Sequence, residues 1–430
     1  MEDIQMIRML TSTVSAVIMT TGVAAAEVPS EITATLKVTQ WVADQIIANT
    51  DAAIERFKEK YPNVTIETQY VPIGSGAWGE YNNAFLNQVA AGDAPDIIAA
   101  AIEGFAEMAS KEVLINLDDI AANDAAAQET MAGIDANLLN GMRTRGTGEL
   151  NFFPTEWNNI VVFYNKDMFD AAGLDYPSAD WTWEEFAETA KALTLTDDSG
   201  NITQYGYFVP GFNFGLQPWL FTNGASILDE EWKEPTIDTP QFREALQNLH
   251  DLIHLHKAAP AFEEGVGTEK FNAGQVAMFS AGHWPVPSIK QAGLENVGVQ
   301  HMPQKTERST VFGIGGLAIT RASEHPELAW EFIREMTGDE YQAGLAEAGF
   351  AIPSARKYAT TPEYVAWPDN SEIFYETAAT AIAVPSPSNF SQVQEIFMRN
   401  LTTYLNGERD LDTTISNMDR ELSRSMARAK

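Results

Sequence analysis

Short apolar runs alternate with segments of helical periodicity along the N-terminal part of the chain, and this alternation constrains the fold more than any single motif. "ATLKVTQWV" (34–42) reads as a strand, after which Ile46, Ile47, Thr50, Ile54, Phe57 and Tyr61 mark one face of a helix that Pro62 ends. "VTIETQYVP" (64–72) alternates as a second strand, "YNNAFLNQVAAG" (81–92) is helical, "PDIIAAA" (95–101) is a third strand and "FAEMASKEVL" (105–114) a further helix. Such a series covers both faces of a mostly parallel sheet with helices, which predicts an α/β protein.

A second series begins at "IVVFY" (160–164) and runs through a short helix at "DMFDAAG" (167–173) into "DWTWEEFAETAKALT" (180–194). Thr182 and Glu185 there have the spacing of a capping box, and Trp183, Phe186, Ala190 and Leu193 form the buried face. Strands are predicted at 204–210, 276–280, 297–303 and within "FGIGGLAIT" (312–320), with a helix over 240–256. At 430 residues the chain exceeds one ordinary core, so two lobes are expected.

Charge narrows the partners. Asp and Glu total 60 against 27 Lys and Arg, a formal charge of −33, which repels phosphate backbones; nucleic acid is not an expected partner. The apolar stretch 9–23 followed by Ala24-Ala25-Ala26 has the form of a signal peptide over 1–26, although Glu2 and Asp3 make its start acidic and Met6 is an alternative start. The chain has no cysteine, which removes disulfides, thiol catalysis and a lipid-bearing N-terminal Cys. These features predict an unanchored exported monomer in the periplasm of a Gram-negative bacterium.

In open α/β sheets ligands bind beyond the carboxyl ends of strands. Those positions hold Gln40 and Trp41 after the first strand and Glu103 after the third, with Glu156, Trp157 and Asn158 just before "IVVFY" and His283 and Trp284 in "SAGHWPVP" (280–287). Indole faces stack on the C–H face of a sugar, while amide and carboxylate groups pair with its hydroxyls. The cluster therefore predicts a carbohydrate cleft.

At this point the chain resembles the extracellular solute-binding proteins of carbohydrate ABC importers, the group typified by maltose-binding protein. The resemblance rests on "FKEKYPNVTIE", "NQVAAGDAPDII", "VFYNKDMFDAAGL", "WTWEEFAETAKALT", "FTNGASILDE", "FNAGQVAMFSAGHW" and "HPELAWEFIREMTGDEYQ", which occur in the family's order across the chain. It implies a two-lobe periplasmic binding protein fold of the class II type, with the ligand between lobes that close about a hinge, and a membrane permease as partner. The implied lobes are 27–155 with 312–360, and 160–308 with 370–430, joined by hinges near 155–159, 309–315 and 356–370.

The resemblance also implies roles for single residues. Trp284 matches the stacking aromatic of a G-x-W segment, Glu103 an acidic cleft position seven residues beyond Pro95-Asp96, and Asn158 a hinge position six residues before Tyr164. Phe214 falls near a family aromatic before "TNGAS", and Gly315 lies in the second crossing segment; apart from the resemblance, Arg356 is a candidate because it follows "GFAIPSA", where the chain should leave the first lobe near the cleft, and Trp219 is a further candidate. Ala100 stands where maltose-binding protein has Trp, so maltodextrin is not implied.

Each assignment has a structural alternative. Trp41, Trp219 and Trp284 could be core, Glu103 could be a solvated helix-start residue, and Arg356 could pair with a surface acid instead of an anionic sugar. The helical pair His250 and His254 has the spacing of metal ligands but lacks the following Glu of hydrolytic zinc helices, and "GIGG" (313–316) lacks the Lys-Ser/Thr of a phosphate loop. No metal or cofactor is expected. The rival function is an exported carbohydrate-active enzyme, a hydrolase or lyase, using Glu103 and Glu156 across a scissile bond.

Overall fold

The computed structural model of the protein describes residues 28–73 and 78–429, so the expected signal peptide lies outside the described residues. Among the described residues twelve strands are present: β1 Ala34–Trp41, β2 Val64–Val71, β3 Ile97–Ala101, β4 Phe153–Asn159, β5 Val161–Asn165, β6 Leu195–Thr196, β7 Ile202–Phe208, β8 Val276–Ala281, β9 Val297–Gln300, β10 Thr310–Ile319, β11 Ile352–Pro353 and β12 Ala381–Ala383. They form two sheets, in the orders β11-β4-β10-β3-β1-β2, with β12 added to β10, and β6-β7-β8-β5-β9. Each sheet is the centre of one lobe.

The expectation of mostly parallel sheets requires correction. Only β1 with β2 and β3, and β10 with β12, run parallel in the first sheet, whereas β10 is antiparallel to both β3 and β4. In the second sheet β7 and β8 are parallel but β5 is antiparallel to both β8 and β9. The cause is the crossing between lobes. β4 leaves the first sheet at its cleft end and, after the single buried residue Ile160, continues as β5 of the second; β10 comes back from the second lobe and so enters the first sheet at that same end. A strand entering from the cleft must run against β1 and β3, which finish there.

Local structure follows the periodicity closely. The helix Asp44–Lys60 buries Ile46, Thr50, Ala53, Ile54 and Phe57, with Ile47 left at its border, and Phe57 meets Phe332 at 5.1 Å. At the helix Trp183–Ala192 the capping box forms as expected: the Glu185 backbone N–H donates to Thr182 Oγ1, and the Thr182 N–H donates to the Glu185 carboxylate at 2.7 Å. These two bonds satisfy backbone donors that a helix start otherwise leaves open.

A third connection crosses near residues 364–383. Asp369 accepts from the Val299 N–H at 2.9 Å through its carbonyl and Trp367 Nε1 donates to the Glu295 carbonyl at 2.9 Å, so this stretch lies on the second lobe. β12 then returns to the first sheet, and the helix Phe390–Leu405 lies against helices of both lobes. The expected assignment of everything after 370 to the second lobe is thus too simple. No helix among the described residues is long and apolar enough to cross a membrane.

Candidate functional site

The first lobe contributes an aromatic wall to the space between the lobes. β1 delivers Trp41 at its carboxyl end, where Trp78, the first residue of the helix Trp78–Ala91, meets it edge-on at 6.3 Å and Phe350 packs at 5.7 Å. The second lobe supplies the facing wall. Trp284 follows β8, and Phe212 and Phe214, at the start of the helix Asn213–Phe221, approach it at 6.2 and 6.4 Å. Between the walls is a cavity of about 340 Å³, floored by Glu156, Trp157 and Asn158 of β4 and Gly313 and Gly315 of β10, with Glu103 at its edge.

The glycines of β10 create the room for the carboxylates. A Cβ at Gly315 would stand 2.4 Å from Glu156 Oε1; one at Gly313 would stand 3.1 Å from the Phe214 ring and 3.6 Å from Glu103 Oε1. Only at Gly316 does the close approach involve backbone, the Phe153 carbonyl at 2.3 Å. The run was expected to admit neighbouring backbone; at the cavity it admits side chains.

Glu103 and Glu156 are 5% and 7% exposed, and burial pushes both carboxyls up to about 7. Glu103 Oε2 is buried with no hydrogen-bond partner. Its place in the first turn of the helix Ile102–Ser110 favours negative charge, but that effect is small beside the desolvation. Among the described residues, none of the cavity-lining side chains is Lys, Arg or His.

Eight expected residues therefore meet at one cavity: Trp41, Glu103, Glu156, Trp157, Asn158, Phe214, Trp284 and Gly315. Asn158 also holds the crossing together, its Oδ1 accepting from the His283 N–H at 3.1 Å. Trp157 is wholly buried beneath the floor, edge-on to Tyr375 at 5.6 Å.

Four expected residues lie elsewhere, and each position has a physical cause. Gln40 points away from the cavity and folds back, its Oε1 accepting from the Trp41 N–H at 3.0 Å. Trp219 is fully buried in the second lobe's aromatic core, within 5.9 Å of the Trp183, Phe186 and Tyr207 rings. His283 is a strut between lobes: its Nδ1 donates to the Gly349 carbonyl at 2.7 Å, its ring stacks on Tyr364, and burial lowers its pKa to about 4, which keeps it neutral. Arg356 is exposed and lays its guanidinium over Tyr375 at 5.6 Å.

Sequence reasoning missed Trp78, Phe212 and Phe350. Phe212 could have been found, because it lies just beyond the carboxyl end of β7, as Trp41 lies at that of β1. His250 and His254 stack at 4.3 Å and His254 Nε2 lies 2.8 Å from the Leu405 carbonyl; among the described residues no group of three or more His, Cys, Asp or Glu could hold a metal ion.

Comparison with known proteins fits this geometry. Residues 43–343 match the family described as bacterial extracellular solute-binding protein. An arabinooligosaccharide-binding protein of Halalkalibacterium halodurans is 30% identical over 209 residues, 43% of each chain. The sn-glycerol-3-phosphate-binding periplasmic protein of Escherichia coli is 24% identical over 59% of this chain and 57% of its own. The chain thus spans about half the length of the curated relatives it matches. Among solved structures, an ABC substrate-binding protein of Listeria monocytogenes in complex with cycloalternan superposes with a TM-score of 0.81 at 23% identity, covering 92% of this chain and 100% of that one. Maltose-bound MalE3 of T. maritima gives 0.76 at 20% identity, covering 90% and 99%. Both share the two-lobe fold.

Proposed function

The chain belongs to the bacterial extracellular solute-binding proteins, and from that premise we propose that it captures a carbohydrate between its lobes and delivers it to the membrane permease of an ABC importer. The carrying observation is the cavity itself: facing aromatic walls from two lobes over a floor of Glu156 and Asn158, with Glu103 beside it. Aromatic faces cover the apolar side of a pyranose, and the carboxylates and amide take its hydroxyls. The arabinooligosaccharide-binding and cycloalternan-bound proteins support a sugar as ligand class. On this reading the protein works as a monomer, without nucleic acid, outside the cytoplasm of a Gram-negative cell.

The rival enzyme reading has the family match against it, and the two carboxylates give it no support. A carboxylate acid–base pair needs environments that push the two pKa values apart. Here burial drives both carboxyls upward in the same direction, so the structure shows no difference of environment that assigns one the acid role and the other the base role.

A thermal-shift screen of the protein against mono- and oligosaccharides tests the reading, because a ligand bound only by the folded state must raise the melting temperature. A saturable shift with the sugar recovered intact is the expected result. Shifts only with non-carbohydrate solutes, or recovery of cleaved sugar, would overturn it.

A further inference from the structure

We propose that the cleft selects a positively charged carbohydrate, one whose protonated amino group seats against Glu103, over neutral and anionic sugars. This deepens the carbohydrate reading above and rests on it.

Three independent features converge. The first is the unpaired carboxylate: Glu103 is 5% exposed, it lines the cavity, and its Oε2 has no hydrogen-bond partner. A buried carboxylate in this condition is costly unless something neutralises it, which an ammonium does more completely than a hydroxyl. Glu156, also buried, approaches the same cavity from the other side of β10, so no lining group repels a cation.

Composition of the walls is the second feature. Trp41, Trp78, Trp284 and Phe350 present aromatic rings to the cavity, and ring faces attract cations as well as covering sugar C–H groups. The third is what the walls lack. With no Lys, Arg or His among the described lining residues, a phosphate or carboxylate on the ligand would meet two buried acids and no donor cation. Arg356, the expected reader of an anionic group, lies over Tyr375 instead. The formal charge of −33 further favours the approach of cations over anions.

Burial raises the Glu103 carboxyl to about 7 in the free protein, and an ammonium beside it would pull it back to the ionised form. No other charged side chain contributes to that shift; against Glu156 the titratable neighbour is Tyr341 of the helix Asp339–Ala348, itself raised by burial.

Isothermal titration at neutral pH provides the test. The panel is glucosamine, galactosamine, mannosamine and the glucosamine disaccharide, each beside its N-acetylated and its hydroxyl counterpart. The expected result is at least one amine binding more than tenfold tighter than both counterparts, with Glu103→Gln erasing that preference while its unfolding transition stays cooperative. Glu156→Gln should weaken an amine and its hydroxyl counterpart alike.

Sugar binding in which no amine of the panel is preferred over its neutral counterparts overturns the charge assignment and leaves the carbohydrate reading standing. Binding of a simple quaternary ammonium such as choline, with no sugar of the panel bound, overturns the carbohydrate reading. Preference retained in Glu103→Gln, or silence across the whole panel, overturns this inference.

Discussion

Glu103 and Glu156 carry a cost that a pH series can read. An ordinary glutamate titrates near 4.5, and burial lifts both to about 7, so between those values the folded state holds protons that the unfolded chain has released. Stability therefore falls as pH rises through that window and levels off above it, by on the order of 3 kcal/mol for each group. We predict that Glu103→Gln leaves the melting temperature nearly unchanged at pH 4.5 and raises it by several degrees at pH 8; equal shifts at both pH values would show that the carboxyl is not held neutral. Trp284 lines the cavity and is only partly buried against the core, so Trp284→Ala is predicted to weaken ligand binding by roughly 1–3 kcal/mol with a smaller loss of stability. Calorimetry on the variant decides, and intact affinity with a much lower melting temperature would return the indole to a packing role.

At the level of elements, the contact between the loop holding Arg145 and the segment holding Trp232 joins the lobes away from the cleft. The Arg145 guanidinium lies 4.1 Å from the Trp232 ring centroid, while Arg143 two residues earlier is tied to Asp118 of the first lobe and Trp232 precedes the second-lobe helix Pro240–His254. A cation–π contact of this kind contributes about 0.5–2 kcal/mol. A contact between the lobes favours the arrangement in which it forms, and if that is the ligand-binding one, a smaller fraction of it lowers apparent affinity in proportion. Arg145→Ala is accordingly predicted to weaken all ligands by roughly two- to thirtyfold without changing their rank order. An altered rank order would mean that the contact shapes the cleft and not the hinge. The His283–Gly349 bond is a second such tie; being built on a neutral imidazole, it should hold unchanged from pH 6 to 8.

For the whole molecule, the two sheets are joined by β4–β5, by the stretch leading into β10 and by the third connection, and hinge closure at these crossings is what the proposed function requires. Saturating ligand is predicted to reduce the radius of gyration in small-angle scattering, and a superimposable profile would count against hinge closure. Much of this plan was legible in the sequence. Periodicity placed the helices and strands, the Thr182–Glu185 spacing fixed a helix start, and the carboxyl-end rule found Trp41, Glu103 and the floor residues at 156–158, because each of these depends on neighbours within a few positions along the chain. Strand direction was not legible: β10 is as apolar as a parallel strand, and only its return from the other lobe makes it run against β3 and β4. The division of aromatics was equally hidden. Trp219 and Phe212 lie on or beside the same short helix, yet Trp219 is enclosed by Trp183, Phe186 and Tyr207 while Phe212 faces the cavity, since an aromatic residue is equally suited to either environment and only the packing of distant elements assigns it one. Local order came from local sequence, whereas the charge, walls and floor of the cleft came from bringing together residues separated by whole lobes.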